Sequence, residues 1–169
     1  MGIWITWHNN GNVYFAARNG DTKSATFAYY ATGWHHFMGV YDGGAGTAKL
    51  YIDGSLVDTE TGMTSALRAD AGNGFVIGAL DSPGTDYYGD GGIDEVAVFD
   101  SDKSGSASAI YNSGVPTDLS EESGLVAYYR MGEGGTFSTN WTIPDDSTNS
   151  NDGTSANMEE ADRSTSVPS

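Results

Sequence analysis

The stretch GDGGIDEVAVFD, Gly89 to Asp100, sets Asp94 beside Glu95 where a glycine-rich turn runs into an apolar strand. Carboxylates in such a place cut glycosidic bonds, hold a hard cation, or face water. Hydrolysis of a glycoside needs two carboxyl groups across one sugar ring, one to protonate the leaving oxygen and one to attack or to activate water. Side chains alternate along a strand, so partners must sit two or four positions apart. On that rule Asp94 shares a face with Gly92, Val96 and Val98, and Glu95 shares the other with Ile93, Ala97 and Phe99. The two acids are expected on opposite sides, with no second carboxylate before Asp100. No catalytic pair is expected.

Other residues with chemical potential are histidines and aromatics. His35 and His36 follow Trp34; adjacent strand positions face opposite ways, so the pair cannot chelate one ion and reads as structural. His8 lies beside a turn with no evident partner. Aromatic rings stack on the apolar faces of sugars, and Trp4, Trp7, Tyr29, Tyr30, Tyr87, Tyr88 and Trp141 are candidates, although most aromatics in a sandwich are core. Tyr87 and Tyr88, in the loop DSPGTDYYGDGG, are the expected rim pair, with Asp86 and Asp90 beside them to bind sugar hydroxyls directly or through a cation. Asn140-Trp141-Thr142 is a lone glycosylation sequon, meaningful only in a source that glycosylates asparagine.

The elements that must position these residues read as β. Of 169 residues, 24 are Gly, 10 Tyr, 6 Phe and 4 Trp, distributed over short alternating segments. GIWITW and VYFAAR flank the turn HNNGN, SATFAYY follows NGD, and WHHFMGVYD precedes TAKLYIDGSLVDTE, whose Asp53-Gly54 signals a tight hairpin turn. GFVIGAL and GGIDEVAVFD complete a set that predicts two packed antiparallel sheets. SGSASAIYNSG is the one good helix, capped by Ser104 or Ser106 and stopped by Gly114. GLVAYYRMGEG is one more apolar strand. From Phe137 onward the chain is polar and reads as a long loop or arm with at most short strands.

Charge narrows the partners. The formal net charge is −16, from 23 acidic and 7 basic residues. That field repels phosphate backbones and anionic headgroups, so nucleic acid is not expected as a partner, and no long apolar run predicts membrane insertion. There is no cysteine, which excludes disulfides and thiol chemistry. No charged n-region with an apolar h-region follows Met1; a chain working outside a cell would be a processed piece or would leave by another route, such as within a virion.

GWHHFMGVYDGGAGTAKLYIDGSLVD, then VIGAL, then YYGDGGIDEVAVFD and SASAIYNSG together resemble the laminin-G-like branch of the concanavalin-A-like lectin/glucanase superfamily over roughly residues 2 to 115. YNSGVPTDLS leading to AYYRMGEG and the polar tail is similar to the C-terminal ends of laminin-G-like proteins of marine phage virions. The resemblance implies an all-β, two-sheet antiparallel jelly-roll sandwich with one short helix. It also implies opening strands before the position of Met1, which are missing here, while GLVAYYRMGEG and DSTNSNDGT resemble that opening segment displaced to the other end. The expected organisation is a sandwich over 1–119, a linker and extra strand over 120–136, and a polar arm over 137–169.

The resemblance further implies a structural Ca2+ at Asp94, completed by backbone carbonyls and a group of the opening segment; the candidate replacements for that group are Asp145, Asp146, Asn149 and Asp152 of the displaced segment, or Asp86 and Asp90 of the preceding loop. The alternative is that Asp94 accepts hydrogen bonds from the Gly91-Gly92 turn and binds nothing. The expected function is a non-catalytic, extracellular or virion-surface module that binds glycans or cell-surface polysaccharide. The rival is a structural subunit assembling head-to-tail into a fibre, filament or shell, a homo-oligomer in which Leu125, Val126, Tyr128, Tyr129 and Met131 form the exchanged strand.

Overall fold

In the computed structural model, residues 2–19, 21–63, 74–79 and 89–168 are described. They form antiparallel sheets and one short helix, as an all-β chain should. The chain divides into two compact units, Met1–Phe75 with Asp102–Val115, and Val76–Ser101 with Pro116–Ser169. Among the described residues no helix is long and apolar enough to cross a membrane.

In the first unit, β1 (Ile3–Trp7), β2 (Asn12–Asn19) and β3 (Asp21–Ala28) form one sheet in that order, and β4 (Phe37–Asp42), β5 (Thr47–Ile52) and β6 (Ser55–Thr61) form another. Alternation along β2, β3 and β5 drives Val13, Phe15, Ala25, Ala48, Leu50 and Ile52 into one core with Met63. The opposite face of β4 and β5 buries Val40 and Tyr51 against Ala107 of helix α1 (Ala107–Tyr111). Gly39 passes under the Phe15 ring, in space that a Cβ would occupy.

The Asp53-Gly54 hairpin turn forms as expected. Both residues are left-handed, at φ 49° and 73°, the backbone that a two-residue turn of primed type requires. Asp53 then ties the turn to the segment before β4. Its carboxylate accepts the His36 N–H at 3.0 Å, the Tyr29 hydroxyl at 3.1 Å and His35 Nδ1 at 2.9 Å, and its own N–H donates to His36 O at 2.9 Å. The two histidines precede β4, so strand alternation does not apply to them. They do not face one ion: His35 is spent on Asp53 and Tyr29, and burial pushes the His36 ring down from its ordinary value. Burial and Asp53 together push the Tyr29 phenol up to about 12.

In the second unit β7 (Val96–Phe99) pairs antiparallel with β8 (Leu125–Tyr129) of the same chain. The register slips between Val98 and Phe99, so Val126 has no register partner on β7, and its carbonyl takes side-chain donors. Ser147 Oγ and Asn149 Nδ2 donate to that carbonyl at 3.1 and 2.9 Å. Tyr128 N–H donates to Asp145 at 2.9 Å, and Asp146 N–H donates to Tyr128 O at 2.8 Å. Residues 145–149 thus satisfy the second edge of β8, and Leu125, Val126, Tyr128 and Tyr129 belong to a strand served on both sides within its own chain. Met131 follows at φ 55°. The tail carries β9 (Thr136–Phe137), β10 (Trp141–Ile143) and β11 (Gly153–Thr154), a small sheet in the order β11-β10-β9. GFVIGAL departs from its predicted strand: Gly74–Ala79, the described part, holds one bridge residue and no strand.

Burial alone would raise the Asp53 carboxyl, but the His36 amide, His35 and Tyr29 outweigh it and hold it below 3.8. Its contribution is therefore complete above that pH and is lost as pH falls through the lowered value. Asp53→Ala should lower unfolding stability by about 2–3 kcal/mol in urea melts at neutral pH. The loss should shrink as the pH drops below 3.8.

Candidate functional site

Two clusters of polar side chains stand out, one in each unit. The first is the end of the β1–β2 hairpin. Gly11 N–H donates to His8 O and His8 N–H to Asn12 O, each at 2.9 Å, and Gly11 adopts φ 78°, a three-residue turn closed by a glycine bulge. This turn aims Asn10 and Asn12 at one phenol. Their Nδ2 groups donate to Tyr14 OH at 3.1 and 3.2 Å, and the His8 ring packs edge-on to Tyr14 at 4.8 Å. The two amide bonds, Asn10's first, lower the Tyr14 phenol from its ordinary value. They fill its lone pairs and leave its proton free to donate outward. Beside it Tyr30, 73 % exposed, lies over Gly11 and donates its hydroxyl to Asn10 O at 3.1 Å. An exposed ring face next to amides and an oriented phenol is the donor set that sugar hydroxyls and their apolar faces match.

The second cluster is acidic. Oxygens of Asp94, Glu95 and Glu133 lie within 4.8 Å of one another. This corrects the expectation that Asp94 and Glu95 face opposite ways. The strand begins only at Val96, and Glu95 sits at φ 53°, a left-handed residue that breaks alternation and turns its side chain toward its neighbour's. Glu133, in the turn after β8, was invisible to spacing rules because it comes from a distant segment. Glu95 accepts the Tyr128 hydroxyl and pairs with Arg130 Nε at 3.4 Å. Burial, above all, raises the Asp94 carboxyl; the Glu95 amide pulls it down, the charges of Glu95 and Glu133 add to the rise, and Arg130 offsets little. An all-oxygen set of this kind suits calcium or magnesium rather than zinc.

The remaining candidates fall as follows. Asp145 is buried among backbone amides, taking Tyr128 and Ser147 N–H on Oδ1 and Asn151 N–H on Oδ2 at 2.8–2.9 Å. Burial would push its carboxyl up, but these amides hold it below the ordinary value. Asp146 is exposed, and the carboxylates gathered at Asp94 are those of Glu95 and Glu133. Asp152 accepts the Asp145 amide at 3.0 Å, and Asn149 serves Val126. Trp141 is 8 % exposed, with its indole N–H on Glu159 O and its ring against Phe137. Asp90 is exposed; Asp86, Tyr87 and Tyr88 lie outside the described residues.

These features, alternating strands around a turn-tied core with polar and aromatic groups at a hairpin end, are those of an all-β domain. The chain belongs to the concanavalin A-like lectin/glucanases superfamily: a laminin G family model of that description matches residues 2–107. No curated protein and no solved structure matches the chain.

Asp145→Ala should leave three amides without their acceptor. We expect a loss of about 3 kcal/mol and faster hydrogen exchange at Tyr128, Ser147 and Asn151, read residue by residue by NMR.

Proposed function

We propose that the chain is a non-catalytic glycan-binding module acting outside the cell or on a virion surface. The observation that carries this reading is the hairpin end, where Asn10 and Asn12 orient the Tyr14 hydroxyl beside the exposed Tyr30 ring. The superfamily supports it, since carbohydrate is a ligand compatible with that fold. The acidic cluster fits a structural role: Arg130 and Tyr128 tie Glu95 to the strand after which Glu133 follows. Asp86, Tyr87, Tyr88 and Asp90 are separate candidates for glycan contact, carried by the sequence alone.

Calcium belongs to the same proposal. Asp94 and Glu133 would hold it, with Glu95 as the third carboxylate, and the ion would neutralise the charge that now raises Asp94. Its role would be to fix the turn between Gly91 and β7.

Glycan-array screening should find oligosaccharide ligands. Tyr14→Phe and Tyr30→Ala should each weaken binding by about tenfold while the fold survives. An array without hits, or hits indifferent to these changes and to Tyr87→Ala and Tyr88→Ala, would sink the reading. Calcium at about a hundred times its dissociation constant should raise the melting temperature by about 5 °C over a chelator-treated sample. Asp94→Asn should abolish that rise. A melting temperature indifferent to calcium contradicts the metal assignment.

A further inference from the structure

We infer that the free edge of β1 is a docking strand for a second copy of this chain, paired antiparallel about Ile5. Strand order β1-β2-β3 leaves one edge of β1 without a strand among the described residues. The His8 N–H to Asn12 O bond makes that pair a hydrogen-bonded one. Bonded and non-bonded pairs alternate in an antiparallel ladder, so Thr6 and Trp4 bond to β2 while Ile3, Ile5 and Trp7 direct their backbone groups outward.

The side chains of these three residues are also about half exposed, at 45, 43 and 54 %, Trp7 with one side of its ring against Tyr29 and Phe37. They lie opposite Ala17, Phe15 and Val13 and so continue the core face of the sheet. Natural edges are shielded by lysine, proline or bulges, and IWITW has none of these and pairs with β2 without a slip.

The pattern fits itself. About a two-fold axis at Ile5, Ile3 of one copy stands opposite Trp7 of the other and Ile5 opposite Ile5. Every outward backbone group then meets a complementary one, and all six apolar side chains fall on one face. Charge at the contact does not oppose the same occupant. The chain carries −16, yet residues 2–17 contain no Asp, Glu, Lys or Arg, so two acidic copies can approach here without a carboxylate at the contact. A five-residue strand pair is smaller than a standard interface, which puts the association in the weak class. Repulsion between the two net charges means that added salt strengthens it.

Sedimentation velocity of the full chain, up to about 200 µM, should give a monomer–dimer equilibrium that shifts toward dimer with salt. Ile5→Lys sets two like charges across the axis and should leave only monomer, with the melting temperature confirming a folded chain. The protein has no cysteine, so Ile5→Cys reports position: opposed residues of a bonded pair have Cα atoms about 5.5 Å apart, within disulfide range. Mild oxidation should cross-link Ile5→Cys to a covalent dimer, and Ile3→Cys much less. A monomer at all concentrations, a dimer that survives Ile5→Lys, or equal cross-linking at positions 3 and 5 would overturn the inference.

Discussion

Carboxylates must find partners in this chain, and 7 basic residues cannot supply 23 acids. The backbone does so instead. Asp53 takes the His36 amide, Asp58 the Thr26 amide at 2.7 Å, and Asp42 the amides of Gly44 and Ala45. Asp145 takes three amides, and Asp102 and Asp118 each take one in a turn. Each bond is charge-assisted; those of Asp53, Asp58 and Asp145 join distant segments, and those of Asp42, Asp102 and Asp118 close their own turns. The fold is therefore clipped together at its turns, with ordinary apolar cores between the clips. Salt bridges such as Lys23–Glu60 are exposed and contribute little.

The exception to this economy is the Asp94 turn. Asp94 is half-buried with one amide on its carboxylate, and Glu95 and Glu133 converge on it, so burial first and then their charge raise its carboxyl where those of Asp53 and Asp145 fall. Residues 2–17 of the β1–β2 hairpin carry no charged side chain, Arg18 being its one ion. The hairpin end presents amides and a phenol, which require no counter-ion.

Local chemistry made much of this fold legible. Asp-Gly and Asn-Asn-Gly gave their turns at 53–54 and 9–11 because left-handed backbone favours those residues, and the alternation of VYFAAR and TAKLYI gave the core. What stayed illegible depends on distance or on one dihedral. The separation assigned to Asp94 and Glu95 assumed extended backbone, and a single left-handed residue at 95 undoes it. Glu133 reaches Asp94 only through the β7–β8 pairing. Asp145 reads in sequence like any other acid of a polar tail; its value lies in amides up to 17 residues away. Tyr14 looked like a strand residue among others, and only the bulge at Gly11 brings both asparagines to its hydroxyl.

The central claim, that backbone amides rather than cations stabilise these carboxylates, is tested most directly by a carboxyl NMR titration resolved by residue. The account expects Asp145 and Asp53 to titrate below 3.8 and Asp94 above it in the metal-free chain. Asp145 titrating at or above 3.8 would mean that its amide cage does not hold the anion, and would contradict the account.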